Sequence, residues 1–409
     1  MQSNTVATIL LLFLNIFSTS HSYTMSSTHW KVHSAWSKAG IGTNIVLELR
    51  VPPSTACNVN VSIKKMPRIA FDMGSTPVFE AAIPAKHIFL SHGHIDHVGG
   101  VFSHARAHAV ACGGEAPTYY APAELLPQLE QCRDAMMALD ASCLHPNGGR
   151  KSLVGAIFVA VRPGDEILLK GICSGSKTSF SMRAFAVDHC GHPALGYILV
   201  SRSSTGLKEE YQSLDKSALR DLAKAGVQLQ SDPIENVEVA YTGDTCASGL
   251  TFDPSASVGK SVLYKQQLFQ ADVILCELTY LDSTENETGK QRAADRGHLH
   301  ICELEKLFAN SVIVGDGTKP DEAAETIPKC LTTAQKQQIV FYHLSGRSSP
   351  ATRALDMIAD GLPRYLRSRC HVAVASLLST GEKNSLGRLI QPNGCISLNA
   401  YLAWRERPK

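Results

Sequence analysis

Ten residues constrain this chain more than any others: Ser91-His92-Gly93-His94-Ile95-Asp96-His97-Val98-Gly99-Gly100. They read HxHxDH and directly follow a short apolar run, residues 87–91 (HIFLS), that reads as a buried strand. Residues two apart in an extended segment project to one side, so His92 and His94 face together. Asp96 and His97 come where the chain turns and can face a second ion, about 3.5–4 Å from the first in two-metal sites. Imidazole nitrogens and a carboxylate are what a borderline-soft divalent ion such as Zn2+ accepts. The competing reading is a His-rich surface loop. Three His and an Asp at these offsets arise by chance on the order of once in a thousand chains, so the metal reading is preferred.

Two ions need more donors than four residues provide, and His or Asp at the ends of later strands are the natural source. Three stand there. His189 closes residues 183–189 (RAFAVDH), Asp244 lies in residues 240–245 (AYTGDT), and His343 closes residues 339–343 (IVFYH). A carboxylate at Asp244 can bridge both ions. Each alone would more often be structural; behind an HxHxDH loop they gain meaning together.

A length of 409 residues suggests two to three domains at about 150 residues each. No Pro/Ser-rich linker divides the chain, however, and the expectation is one catalytic domain over residues 41–379. Residues 1–24 precede it as a leader, and residues 380–409 follow as a weakly ordered C-terminal extension containing Gly, Asn and Pro. A hydrophobic fraction of 44% supports a sizeable core and excludes wholesale disorder, collagen and a coiled-coil rod. Lys+Arg 39 against Asp+Glu 37 gives no broad basic field, so any nucleic-acid substrate must be gripped by a local patch. Twelve Cys without one CxxC pair argue against a zinc ribbon or a thioredoxin-like site and read mostly as buried thiols.

Residues 6–17 (VATILLLFLNIF) form an uncharged apolar run of 12 residues, too short to span a bilayer. It suits the apolar region of a signal or organelle-targeting leader, with residues 18–22 as the cleavage stretch, although a basic segment before it is missing. Met25 offers a second reading, a translation start. Secretory entry, organelle, cytoplasm and nucleus all stay open. No other run is long and apolar enough for a transmembrane helix, so no stable membrane insertion is expected.

Strands are expected over residues 44–50, 68–73, 87–91, 156–161, 166–169, 179–187, 197–201, 237–241, 272–278 and 338–343. Helices are expected over 121–141, with Pro122 as an alternative boundary for the start and a bend at Pro127, and over 216–225, 262–269, 301–309 and 351–358. Residues 1–40 read as a poorly defined entry and 103–118 as a surface loop. The fold class is α/β, with sheets covered by helices.

The order HxHxDH, His, GDT, His resembles the metallo-β-lactamase superfamily. Further motifs narrow the resemblance to ribonuclease Z, the tRNA 3′-processing endonuclease, in its short plant-type form. Residues 273–280 (VILCELTY) look like that family's HEATF strand, with Cys276 in place of its His. Residues 293–300 (AADRGHLH) resemble its GHST or GHTH segment, and 341–347 (FYHLSGR) its THFSxRY. Residues 207–211 (LKEEY) and 222–227 (LAKAGV) are similar to the segment before GDT in the plant-type members. The likeness runs from about residue 44 to residue 378. Two departures stand out. The stretch from His189 to Gly196 is one residue longer than the family pattern, with Pro193 as the insertion, which makes His192 a rival to His189. The long arm that grips tRNA in many members has no counterpart between Gly196 and Gly243.

The resemblance implies a single-domain αββα sandwich and a metal-dependent endoribonuclease. It would cleave the 3′ trailer from precursor tRNA with a two-metal-activated hydroxide and leave a 3′-hydroxyl. His92, His94 and His189 would hold one Zn2+; Asp96, His97 and His343 the other; Asp244 would bridge; Mn2+ or Mg2+ are substitutes. Asp96 would also orient the nucleophile or take its proton. His298, oriented by Glu277, would protonate the leaving group. Ser345 and Arg347 would hold phosphate oxygens, and Asp72 would accept from a metal-bound His. His300 reads equally well as a helix-entry residue. Lys151, Arg162, Lys170, Lys208, Lys216, Arg220 and Lys224 are phosphate-contact candidates that read as readily as solvated charges. The family's usual assembly is a homodimer. The rival readings are a hydrolase of a small ester or cyclic phosphodiester, which the neutral charge balance favours, and an inactive RNA-binding paralogue, which the intact ligand set opposes.

Overall fold

The strands between Thr178 and Tyr342 position His189, Asp244, Glu277 and His343, and their sequences say why. Val273–Glu277 (β12) is apolar along its whole length, which suits a central strand covered on both faces. Val273 and Leu275 point to one core, Ile274 and Cys276 to another, following the two-residue period of a pleated strand.

The computed structural model describes residues 68–374 except 75–81, 114, 143–154, 170–177, 204–205, 252–258, 283–286, 310–336 and 345–350. It also describes residues 23–24, 30–36, 43–49, 380–391 and 395–407. Among these, two sheets form. The first has seven strands in chain order: β1 Tyr23–Thr24, β2 Trp30–Trp36, β3 Thr43–Leu49, β4 Arg68–Phe71, β5 His87–Phe89, β6 Thr118–Pro122 and β7 Ile157–Val161. The second has eight, also neighbours in chain order: β8 Glu166–Leu168, β9 Thr178–Ala186, β10 Leu195–Ser203, β11 Ile234–Tyr241, β12, β13 Gln338–Tyr342, β14 Cys370–Ala373 and β15 Cys395–Ser397. Strands β4 to β7 and β11 to β14 pair in parallel, the others antiparallel.

Inner faces of both sheets share one apolar core, including Ile69, Phe71 and Phe89 from the first sheet and Tyr197, Tyr241, Leu275 and Tyr342 from the second. Helix Val101–Ala111 and the start of helix Leu126–Ser142 cover the outer face of the first sheet. Helices Lys260–Gln267, Leu304–Ala309, Ala351–Gly361 and Leu398–Arg405 cover the second. The layers are therefore αββα, as the resemblance implies.

Several expectations need correction. Residues 103–118 are not a loop: helix Val101–Ala111 fills most of them and buries His104 and His108. His104 bonds to the Tyr119 hydroxyl at 2.6 Å and, through Nε2, to the Ala82 carbonyl at 2.9 Å. Residues 121–122 end strand β6; a helical turn starts after Pro122, over Ala123–Leu125, and the α-helix begins at Leu126. Pro127 lies in its first turn, where a missing N–H removes no helical bond, so it opens the helix instead of bending it. The entry region holds β1 and β2. Residues 380–407 are not loosely attached: Cys395, Ile396, Leu398 and Tyr401 are buried, and β15 completes the second sheet. Cys246, Cys276, Cys370 and Cys395 are buried thiols as expected, but Cys112, Cys132 and Cys190 are exposed. Between β10 and β11 a short excursion leaves the sheet. Leu207 bridges Gln230 at its base, and helix Lys216–Lys224 follows. None of its described residues is buried, so it projects from the body. The leader lies outside the described residues.

Candidate metal centre

Except for His298, every site residue sits at or just past the end of a strand on one side of the sandwich. Asp72 follows β4, the HxHxDH loop follows β5, His189 follows β9, Asp244 follows β11, Glu277 ends β12, and His343 follows β13. That edge, where parallel strands present their carboxyl ends, is the usual binding crevice of such sheets.

Asp72 is fully buried and organises the loop. Its Oδ1 accepts from the Ser91 N–H at 2.6 Å. Its Oδ2 accepts from the Ser91 hydroxyl at 2.8 Å, the Tyr241 hydroxyl at 2.5 Å and His97 Nδ1 at 2.6 Å. With Nδ1–H held there, His97 turns Nε2 toward Asp244 Oδ2, 3.2 Å away. His189 follows the same logic: Nδ1 donates to the Gly297 carbonyl at 2.8 Å, and Nε2 lies 3.2 Å from His94 Nδ1. His343 donates from Nδ1 to Thr279 Oγ1 at 3.0 Å, leaving Nε2 3.3 Å from Asp244 and 3.4 Å from Asp96.

The donors gather in overlapping groups whose ligand atoms lie within 4.8 Å of one another: His92, His94 and His189; His92, His97 and Asp244; Asp96, His97 and His343; Asp244, His298 and His343. The first and third are the two ligand sets that the resemblance implied, and Asp244 stands between them. His189, not His192, completes the first group. Asp244 Oδ1 is buried with no hydrogen-bond partner among the described residues. A buried carboxylate oxygen without a donor is costly unless a cation takes it, so the residues present fit divalent metal.

Protonation agrees with this. Burial, and then neighbouring imidazoles, hold His92 and His94 below the ordinary histidine range; burial does the same at His189. All three are thus neutral, the ligating form. Burial opposes charge on Asp96 and Asp244, but the histidines around them hold both well down. His97 differs: burial opposes a proton there too, but the carboxylates of Asp244 and Asp72 outweigh it, so a cation at Nε2 would have to displace that proton.

Two glycines let the loops meet. Gly243 has φ 62, and a Cβ there would stand 2.8 Å from the Ser91 Cβ. Gly297 has φ 70, and a Cβ there would stand 2.6 Å from His189 Nδ1. A side chain at Gly297 would displace the donor His189, and one at Gly243 would displace Ser91, which orients the loop.

Residues 79–166 match the family model described as the metallo-beta-lactamase superfamily. The chain is 29% identical over 254 residues to tRNase Z TRZ1 of Arabidopsis thaliana, covering 60% of this chain and 76% of that one. It is 26% identical over 238 residues to the chloroplastic tRNase Z TRZ2 of the same plant, covering 58% and 57%. The chain has the metallo-β-lactamase fold and is similar to enzymes of the ribonuclease Z type. Human tRNase Z, short form, aligns in space with 13% identity and a TM-score of 0.38 over 78% of this chain and 92% of that one.

A second polar unit adjoins the donors. Glu277 is fully buried and accepts from the Leu299 N–H at 2.7 Å, the Thr245 N–H at 3.3 Å and the Thr279 hydroxyl at 2.9 Å. Its Oε1 lies 3.3 Å from His298 Nδ1. Burial opposes a proton on His298, but Glu277 wins, and the imidazole is pushed up to about 9. An imidazole protonated at neutral pH beside the donors can serve as an acid. The structure brings together Asp72, His92, His94, Asp96, His97, His189, Asp244, Glu277, His298 and His343. Ser345 and Arg347 lie outside the described residues. His300 does not join the site: it is buried against Asp282, 3.1 Å away, and caps the next helical turn.

Sequence reasoning missed Thr279, Ser91 and Tyr241. Each orients a donor without being one. Thr279 and Ser91 stood inside motifs already singled out; Tyr241 carried no signal beyond its strand.

Proposed function

We propose that this protein is a metal-dependent endoribonuclease that removes the 3′ trailer from precursor tRNA. The observation that carries the reading is the buried Glu277 holding His298 beside two groups of metal donors. Likeness to plant enzymes named tRNase Z supports it.

His92, His94 and His189 would hold one Zn2+, and Asp96, His97 and His343 the other, with Asp244 available to either; Mn2+ or Mg2+ could substitute. Divalent ions held there would supply neutralisation of phosphate charge and a hydroxide at neutral pH. Asp96 Oδ2 faces the same space as His97 and His343 and accepts the nucleophile's proton. His298, held at Nδ1 by Glu277, delivers a proton from Nε2 to the leaving O3′. The product tRNA then ends in a 3′-hydroxyl and the trailer keeps the phosphate. Asp72 fixes His97, while Ser345 and Arg347 contact phosphate oxygens. Lys208, Lys216, Arg220 and Lys224 on the projecting excursion offer phosphate contacts to RNA bound across the site edge. A homodimer is the expected assembly. Residues 1–24 serve as an organelle-targeting leader, in keeping with the chloroplastic relative.

The test is cleavage of labelled precursor tRNA by the full chain with zinc, with manganese and with chelator, beside an Asp96→Ala variant. Metal-dependent cleavage after the discriminator base, lost in the variant, is expected. Turnover of a small phosphodiester with precursor tRNA left whole would overturn the reading.

A further inference from the structure

Three non-glycine residues among those described have left-handed backbone: Asp72 (φ 55), His343 (φ 60) and Cys190 (φ 52). Such a conformation costs about 1–2 kcal/mol for an L-residue and persists where the surroundings require it. Asp72 and His343 use it to aim their own side chains into the site. Cys190 points elsewhere, its thiol donating to the Asp295 carbonyl. What its backbone achieves is a turn.

His189, Cys190, Gly191 and His192 form that turn. Both central residues have positive φ, Gly191 at 76, and the His192 N–H donates to the His189 carbonyl at 3.0 Å. This is the pattern of a type I′ turn, which reverses the chain in two residues. Pro193 follows and restricts His192 to extended backbone. The reversal sets the His192 ring back beside the donors, 5.1 Å from the His94 ring centre and 5.8 Å from that of His189. His189 is buried and His192 exposed. His192 makes no side-chain hydrogen bond among the described residues. The first donor group is already complete without it. The turn therefore sets an exposed imidazole, without a hydrogen bond among the described residues, on the open rim of the metal centre.

We propose that His192 is a substrate-contact residue, its imidazole donating to a phosphate oxygen of the RNA next to the scissile phosphodiester. The proposal rests on the function proposed above. A phosphodiester chain entering the crevice must cross this rim, and each flanking nucleotide presents an anionic acceptor. Contacts of this kind set the register of the chain over the reacting atoms without reading its sequence.

The experiment compares wild type with His192→Ala, His192→Phe and His192→Gln. It measures KM and kcat on precursor tRNA, turnover of bis(4-nitrophenyl) phosphate, which lacks flanking phosphates, and zinc per chain. The Ala and Phe variants should raise KM on precursor tRNA about tenfold with kcat within about twofold. The Gln variant, which keeps a donor, should recover most of the loss. Small-diester turnover and zinc content should match wild type in all three. Zinc loss in the Ala variant would make His192 a ligand and overturn the proposal. A Phe variant with wild-type KM would replace phosphate donation by ring contact and also overturn it, as would three variants all equal to wild type. A wild type that turns over the small diester but leaves precursor tRNA whole would overturn the proposed function, and the flanking contact with it.

Discussion

Replacing Asp72 by Asn separates the orientation of a donor from mere burial. Asparagine keeps the volume, and its oxygen can still accept from the Ser91 N–H. Its amide nitrogen then faces the Ser91 hydroxyl, the Tyr241 hydroxyl and His97 Nδ1, which all point donors at that position today. The hydroxyls can rotate and accept instead. His97 can do so only by moving its proton to Nε2, the atom 3.2 Å from Asp244. The ring stays in place but turns a hydrogen toward the metal position. A hydrogen bond to a charged partner contributes about 1.5–3 kcal/mol. At about 1.4 kcal/mol per decade, that corresponds to a loss of zinc affinity of about ten- to hundredfold. Chelator competition on wild type and Asp72→Asn measures it. Urea unfolding of the metal-free proteins measures the purely structural part. An Asn variant that binds zinc within about twofold of wild type would refute the tautomer argument, whatever happens to its stability.

Thr279→Val removes the hydroxyl shared by Glu277, His298 and His343 while keeping side-chain shape. It should lower kcat on precursor tRNA about tenfold and change KM little, the energy of one charge-assisted bond; steady-state kinetics decide. His104 gives a pH prediction. Burial lowers it to about 4 in the folded chain, against about 6.5 when unfolded. Its contribution is complete above pH 6.5 and lost as pH falls toward 4, because only the unfolded chain takes up the proton there, a difference of about 3 kcal/mol. Urea unfolding at pH 7 and pH 4.5 should therefore show a smaller pH dependence for His104→Asn than for wild type. Removing metal with chelator should lower the melting temperature, since a ligand at 100 times its Kd stabilises by about 2.7 kcal/mol; added zinc should restore it in a thermal scan.

The strands and the donor residues were legible because both obey short-range rules. β12 and β13 are unbroken apolar runs, and each donor follows such a run at a turn. What failed lay where long-range packing decides. Helix Val101–Ala111 carries His104 and His108 on its buried side, polar residues that a periodicity reading assigns to solvent. Only their partners across the fold, Tyr119 and the carbonyls of Ala82 and Ile83, make burial tolerable. Residues 395–405 read as an extension because Asn393 and Gly394 precede a strand of only three residues, Cys395–Ser397. A strand that short is held by its neighbour β14 and by the core beneath it. The orienting residues escaped for a related reason. A ligand announces itself by type and spacing, but the hydroxyl that fixes its tautomer can come from any strand that passes close by.

The position of the site explains why its orienting groups come from both sheets. Asp72 belongs to the first sheet and Tyr241 to the second, and their hydrogen bond crosses the sandwich. The Leu195 N–H donates to the Ser91 carbonyl at 2.9 Å, and the Tyr197 hydroxyl to the Leu90 carbonyl at 2.7 Å, across the same seam. Of the donors, His92, His94, Asp96 and His97 follow the first sheet, while His189, Asp244 and His343 follow the second. Neither sheet alone can therefore gather a complete ligand set, and any slip between them separates His97 from Asp244. The apolar core between the sheets sets their spacing to the precision that interdigitated side chains allow, and that spacing places the donors. The same core that stabilises the sandwich thus holds the geometry on which a two-ion centre depends.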